Sequence, residues 1–170
     1  MGIKGKNVIQ FDFFGDWRKA GTMTAGLAPT VKRAIRTGQE AGAKKLIKIV
    51  KDHLLNQDLN WAPISARAKK NDPRILIDSQ AYLTSIKYWQ EGYNVMIGVP
   101  RGLTEPSGME IAKVANIHEK GLSKRGIPAR PLWGPSIQEM NGKSGMDAIV
   151  LRTIENRLMK LGWSVLYSPL

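Results

Sequence analysis

Two histidines, scattered carboxylates and no cysteine bound the chemistry open to this chain of 170 residues. His53 and His118 have no second His or Cys at ligand spacing, and His118-Glu119 is not followed by the second His of a zinc-protease helix. His53 falls near the end of a predicted helix, where it would meet the negative end of the helix dipole. His118 beside Glu119 has the residue types of a general base, but a single pair is a weak signal, and an interface or capping role is the reading adopted. The absence of cysteine removes disulfides, thiolate catalysis and cysteine-based zinc sites together. Gly142-Lys143-Ser144 ends like a phosphate-binding loop but lacks the upstream glycine. No GxGxxG follows a strand, and no GxSxG elbow occurs. The expectation is a protein without catalytic, cofactor-binding or metal residues, and not an enzyme.

Binding chemistry is better represented. The formal charge is +12, with 26 Lys and Arg against 14 Asp and Glu. Such a surface attracts polyanions and acidic protein faces. Arg33, Lys44, Lys48 and Lys51 share one side of a predicted helix, as a solvated face or a basic docking face. Basic residues cluster again at 67–74 and 120–130. Neither zinc-finger spacing nor an RNA-recognition aromatic motif accompanies them, which leaves non-specific phosphate contact and no machinery for sequence readout.

The elements that position these residues follow from punctuation and periodicity. The length suits one domain with a real core, and 42% hydrophobic residues argue against wholesale disorder. The longest apolar run, 46–50, is broken by Lys48, so no membrane span is expected. No apolar region follows the charged start, so no signal peptide is expected either. Residues 1–28 are assigned as an N-terminal arm and 29–170 as a single domain. In the arm, Phe11, Phe13 and Phe14 belong either to an edge strand on the core or to a contact with a neighbouring subunit.

A long helix is predicted over 29–56, opened by Pro29 at the first helical position. Val31, Ile35, Gly38, Gly42, Leu46 and Ile49 lie on one narrow face of it, and the two glycines either weaken the helix or admit another backbone. Residues 75–77 read as a short strand or the entry to a helical turn over 78–83. Alternation over 85–90 and 93–99 predicts a β-hairpin turning at Glu91-Gly92. Ser107-Gly-Met-Glu110 has the form of a capping box for a helix ending at Gly121. Ser144-Gly-Met-Asp147 has the same form and opens a last helix ending at Gly162, with 163–167 as a terminal strand. The predicted class is α+β: a long N-terminal helix, a small antiparallel sheet, two further helices and extended terminal arms.

One segment stands apart. "VANIHEKG" is followed by "IPARPLWG", in which Pro128 and Pro131 flank Ala129 and Arg130 and stiffen the backbone. A rigid loop loses little ordering entropy on binding, so the prolines read as presenting Arg130 to a partner, or else as a crossover that closes the fold. This stretch resembles the phage virion morphogenesis and tail completion family, with its "A-x-I-H-x-x-G" helix end and "I-P-A-R-P-F-L-G" loop. The match rests on Ile117, His118, Gly121, Ile127, Pro128, Ala129, Arg130, Pro131 and Gly134, with Leu132 and Trp133 replacing Phe and Leu. Upstream, "NWAPISARAKK" is similar to the family's Trp-x-Pro-Leu-Ser segment at Trp61, Pro63 and Ser65. "ILIDSQAYLTSI" is similar to "I-L-x-D-x-G-x-L-x-x-S-I" at Ile75, Leu76, Asp78, Leu83, Ser85 and Ile86, with Gln80 in place of glycine.

The resemblance covers about residues 60–135. It implies a structural virion protein at the head–tail neck: a homo-oligomeric ring of six or twelve copies, made in the host bacterial cytoplasm. Connector or portal-side proteins and tail-terminator or tail-tube proteins are the implied partners. DNA is close by, and no membrane or cofactor is involved. On this reading Ile127, Pro128, Ala129, Arg130, Pro131, Leu132, Trp133 and His118 belong at a subunit interface. The alternative is a basic nucleic-acid-binding or assembly-factor protein.

Overall fold

A computed structural model describes residues 17–63, 74–76 and 79–163. Phe11, Phe13 and Phe14, Ser65, the basic cluster up to residue 73, Asp78 and nearly all of the predicted terminal strand lie outside the described residues. The class is α+β, as expected: α1 (Trp17–Asn56), α2 (Ala81–Ser85), β1 (Lys87–Glu91), β2 (Asn94–Gly98), α3 (Ile111–Lys120), α4 (Trp133–Ser144) and α5 (Met146–Lys160).

The chain divides into two compact units, Glu40–Met146 and the remainder, and α1 contributes to both. The expected boundary after residue 28 coincides with no element boundary, because α1 starts at Trp17 and carries Pro29 inside it. Proline at the first helical position is the commoner use, hence the expectation of a start there. Inside a helix its missing N–H leaves the carbonyl of Ala25 without the usual donor, a cost that the rest of a 40-residue helix absorbs.

In the Glu40–Met146 unit, the last turns of α1 bury Ala43, Leu46, Ile49, Val50, His53 and Leu54. From Leu46 on, this is the i, i+3, i+4, i+7, i+8 pattern of a core-facing helix. Tyr82, Ile86, Ile111, Leu132 and Met140 complete the apolar core of the unit. Gln57, at φ 56° just past α1, uses its side chain as a strand would use its backbone. Its Oε1 accepts from Ile75 N–H at 2.8 Å and its Nε2 donates to Ile75 O at 3.1 Å. Residues 74–76 form a turn, with Leu76 at φ 68°.

The hairpin pairs Lys87 with Gly98, Trp89 with Met96 and Glu91 with Asn94. The turn is therefore Gly92-Tyr93, one residue later than the alternation predicted. Gly92 at φ 59° takes the first central position, which glycine fills without strain.

The capping box predicted at Ser107 does not form. The helix after Ser107 begins at Ile111, and its N-cap is Glu110 with no side-chain cap. Glu105 N–H donates to Met109 O and Gly108 N–H to Glu105 O, closing a tight loop over the residues a box would have used. The Glu110 carboxylate accepts from Gly102 N–H at 3.0 Å instead. Ser144 is the last residue of α4, a helix the sequence reading did not predict, and Gly145 ends it. The predicted helix stops at Gly121 and Gly162 hold, at φ 74° and 81°.

In the other unit, Ala34 of α1 and Leu158 of α5 are buried. Gly38 is a point of close approach: a Cβ there would sit 2.7 Å from Val150 Cα. Among the described residues no helix is long and apolar enough to cross a membrane.

Candidate functional site

Five of the residues that carry the resemblance, Trp61, Pro63, His118, Arg130 and Pro131, are bonded together. Helix α3 ends at Gly121, where an added Cβ would meet Ala129 N at 2.8 Å and Ile127 O at 3.0 Å, so only glycine lets the following loop fold back this closely. The loop is closed by a two-way bridge: Leu122 N–H donates to Ile127 O and Ile127 N–H to Leu122 O. Its return places Arg130 N–H on His118 O at 2.6 Å.

From there the Arg130 side chain turns inward and is 6% exposed. Its Nε donates to Ala62 O at 3.1 Å and its Nη2 to Pro63 O at 3.3 Å. Its Nη1 lies 3.4 Å from His118 Nδ1, a contact in which the imidazole nitrogen is the acceptor. Burial pushes the guanidinium pKa down from its usual value. Trp61 closes the circuit, its Nε1–H donating to Pro131 O at 2.9 Å.

Prolines that fix a backbone do not fix the direction of the side chain between them. Arg130 is held within the subunit rather than presented to solvent, and Leu132 is fully buried. Pro128, Ala129 and Pro131 are the exposed members of the loop, with Ile127, Trp133 and His118 partly covered.

Glu119 does work that the sequence reading missed. Its Oε2 accepts from the N–H groups of Leu132 at 2.8 Å and Trp133 at 3.4 Å, capping α4 from a helix 13 residues upstream. Ser136, wholly buried, donates its hydroxyl to Leu132 O at 2.7 Å. The usable signal for α4 was Pro135, tolerated in a first helical turn. Gly134, Asn141 and Gly142 weakened the periodic pattern around it.

Tyr82 belongs to the same region. Burial raises its phenol pKa to about 12, and the nearby Glu119 charge adds to the rise, while a hydrogen bond from Trp133 opposes it. A shallow groove of about 370 Å³ opens beside this cluster, lined in part by Trp89, Ile97, Ala112, Ala115 and Trp133.

His53 sits in the last turn of α1, as expected, but 7% exposed and between two carboxylates. Asp58 Oδ1 lies 2.7 Å from Nδ1. Glu139 Oε2 is 3.2 Å from Nε2, within ion-pair range but without hydrogen-bond alignment. The carboxylates address opposite ring nitrogens, so the three side chains do not share a point where one metal ion could sit. Among the described residues no group of three or more His, Asp or Glu could hold a metal.

Of the basic stripe, Arg33, Lys44 and Lys48 are exposed and Lys51 is partly covered. Lys48 pairs with Asp52 one turn on, at 2.5 Å. No family model, curated protein or solved structure matches this chain.

Proposed function

We propose that the chain is a structural, non-enzymatic subunit of a tailed bacteriophage, forming a homo-oligomeric ring at the head–tail neck. One observation carries this reading. Five of the residues that resemble the tail completion family, Trp61, Pro63, His118, Arg130 and Pro131, come from distant parts of the sequence and bond to one another. Trp61 is joined to Pro131, Arg130 to the carbonyls of Ala62 and Pro63, and His118 to Arg130. Chance matches in a sequence have no reason to meet in space.

On this reading the interface is narrower than the whole loop. Arg130 and His118 brace the loop from behind, and the exposed ridge of Pro128, Ala129 and Pro131 is the surface offered to the next subunit. A rigid ridge on one side and a groove on the next copy make a heterologous contact, which closes into a ring when the rotation allows. Connector or portal-side proteins and tail-terminator or tail-tube proteins are the proposed neighbours.

A second reading, a nucleic-acid-binding or assembly-factor protein, draws on the exposed Arg33 and Lys44 in a chain of charge +12. Imaging intact virions at side-chain resolution separates the two. A closed ring between portal and tail tube, with residues 127–133 at a subunit contact, is the expected result. Absence from virions would overturn the ring reading and leave the second.

A further inference from the structure

A two-stranded sheet is small, and an open strand edge is a template for pairing. Among the described residues, no strand lies against the outer edge of β1. The register says which groups that edge offers. Across a two-residue turn, Glu91 and Asn94 form the closing hydrogen-bonded pair, and the alternation then assigns Trp89 and Lys87 to hydrogen-bonded pairs as well. Tyr88 and Gln90 fall at the intervening positions, so their backbone N–H and C=O groups point away from β2.

We propose that this edge pairs antiparallel with the same edge of a second copy of the chain, about a two-fold axis at Trp89. The strand reads Lys87-Tyr-Trp-Gln-Glu91. Turned about its centre, it sets Tyr88 opposite Gln90 of the second copy, and the outward backbone groups of both residues are satisfied reciprocally. Trp89 meets its own counterpart in a non-hydrogen-bonded pair, where side chains approach most closely. Lys87 falls opposite Glu91 at both ends.

That charge pattern selects the occupant. Lys87 and Glu91 are exposed, and neither faces a charge across its own hairpin, where Gly98 and Asn94 stand opposite. Charged residues commonly guard an edge by bringing like charges together when copies approach. Here the two-fold brings opposite charges together, so the same residues favour self-pairing. Trp89 Nε1–H donates to Glu91 Oε1 at 2.7 Å, which restrains that carboxylate on the face it shares with Lys87 and Trp89. Strand β2, Asn94-Val-Met-Ile-Gly98, has no such complementarity. This pairing is independent of the ring reading, which uses the ridge at residues 128–131.

Sedimentation of the full chain over a range of concentrations tests it. Lys87→Glu and Glu91→Lys, made singly, set like charges opposite at both ends and should each weaken association by about tenfold. The double exchange restores opposite charges and should restore association. Thermal unfolding of each variant checks that the monomer is intact. Because the chain lacks cysteine, Trp89→Cys should be captured by mild oxidation as a disulfide-linked pair. A chain that stays monomeric throughout overturns the proposal. So does an oligomer, rings included, that both single reversals leave unchanged, and in that case the ring reading stands.

Discussion

Arg130 shows how a residue whose sequence context reads as a binding motif can serve the fold. Its guanidinium donates to Ala62 O and Pro63 O and touches His118, all within one subunit. Truncation would remove both of these charge-assisted hydrogen bonds and empty the space of a side chain that is 6% exposed, while the exposed Ala62 and Pro63 carbonyls could turn to water. Arg130→Ala is therefore expected to lower stability by about 2–4 kcal/mol, read by urea denaturation of the isolated protein. A variant as stable as the wild type would show that the side chain does not hold the loop. Tyr82 gives a second expectation, with a sign fixed by its raised pKa of about 12. Below pH 10 the phenol is neutral in both folded and unfolded chains. Between pH 10 and about 12 the unfolded chain loses this proton while the folded one keeps it, so stability falls through that window. The loss is on the order of 2–3 kcal/mol, and Tyr82→Phe should remove it, flattening the alkaline limb of stability against pH. Sequence alone picked out His118 and Arg130. It could not supply the inward turn of Arg130, because the acceptors are main-chain carbonyls that any residue type would offer.

At the scale of elements, the legible features were those written in local backbone chemistry. The hairpin and the stops at Gly121 and Gly162 needed only alternation and glycine. Helix α4 was not legible, because its N-terminus is capped by Glu119 from another helix, a contact with no local trace. The apparent capping box at Ser107 failed because that residue lies in a loop closed by its own backbone bonds, and Ser144 ends α4 two residues before α5 begins. Gly38 was readable as either a weakness or a close approach, and the structure selects the second. An added methyl group would meet the Val150 backbone at 2.7 Å, which cannot yield as a flexible side chain would. Gly38→Ala should therefore destabilise by about 1–3 kcal/mol despite the better helix propensity of alanine. Gly142, in α4, has nothing within 4 Å of the same atom. Gly142→Ala should stabilise by about 0.5–1 kcal/mol. Opposite signs in thermal unfolding would separate a packing glycine from an idle one, and equal shifts would refute the close approach.

For the whole molecule the question is what a charge of +12 is for, since fold and charge are independent in origin. Lys48 is engaged with Asp52, whereas Arg33 and Lys44 are exposed, so part of the stripe is internal helix pairing and part faces outward. A ring held by the ridge of Pro128, Ala129 and Pro131 relies on apolar contact and shape, which salt strengthens or leaves alone. Binding to duplex DNA relies on displaced counterions, and its affinity falls by orders of magnitude over a few-fold rise in salt. The two are measured side by side by following assembly with light scattering and DNA affinity with fluorescence anisotropy, from about 50 to 200 mM salt. The expected outcome is assembly that persists across the range, with DNA binding weak and lost early. Charge-neutral replacement of Arg33, Lys44, Lys48 and Lys51 together should then leave assembly intact and weaken docking to an acidic neck partner. Assembly that collapses with rising salt, in step with DNA binding, would instead mean that the basic face organises the oligomer on nucleic acid, and the neck-ring reading would give way.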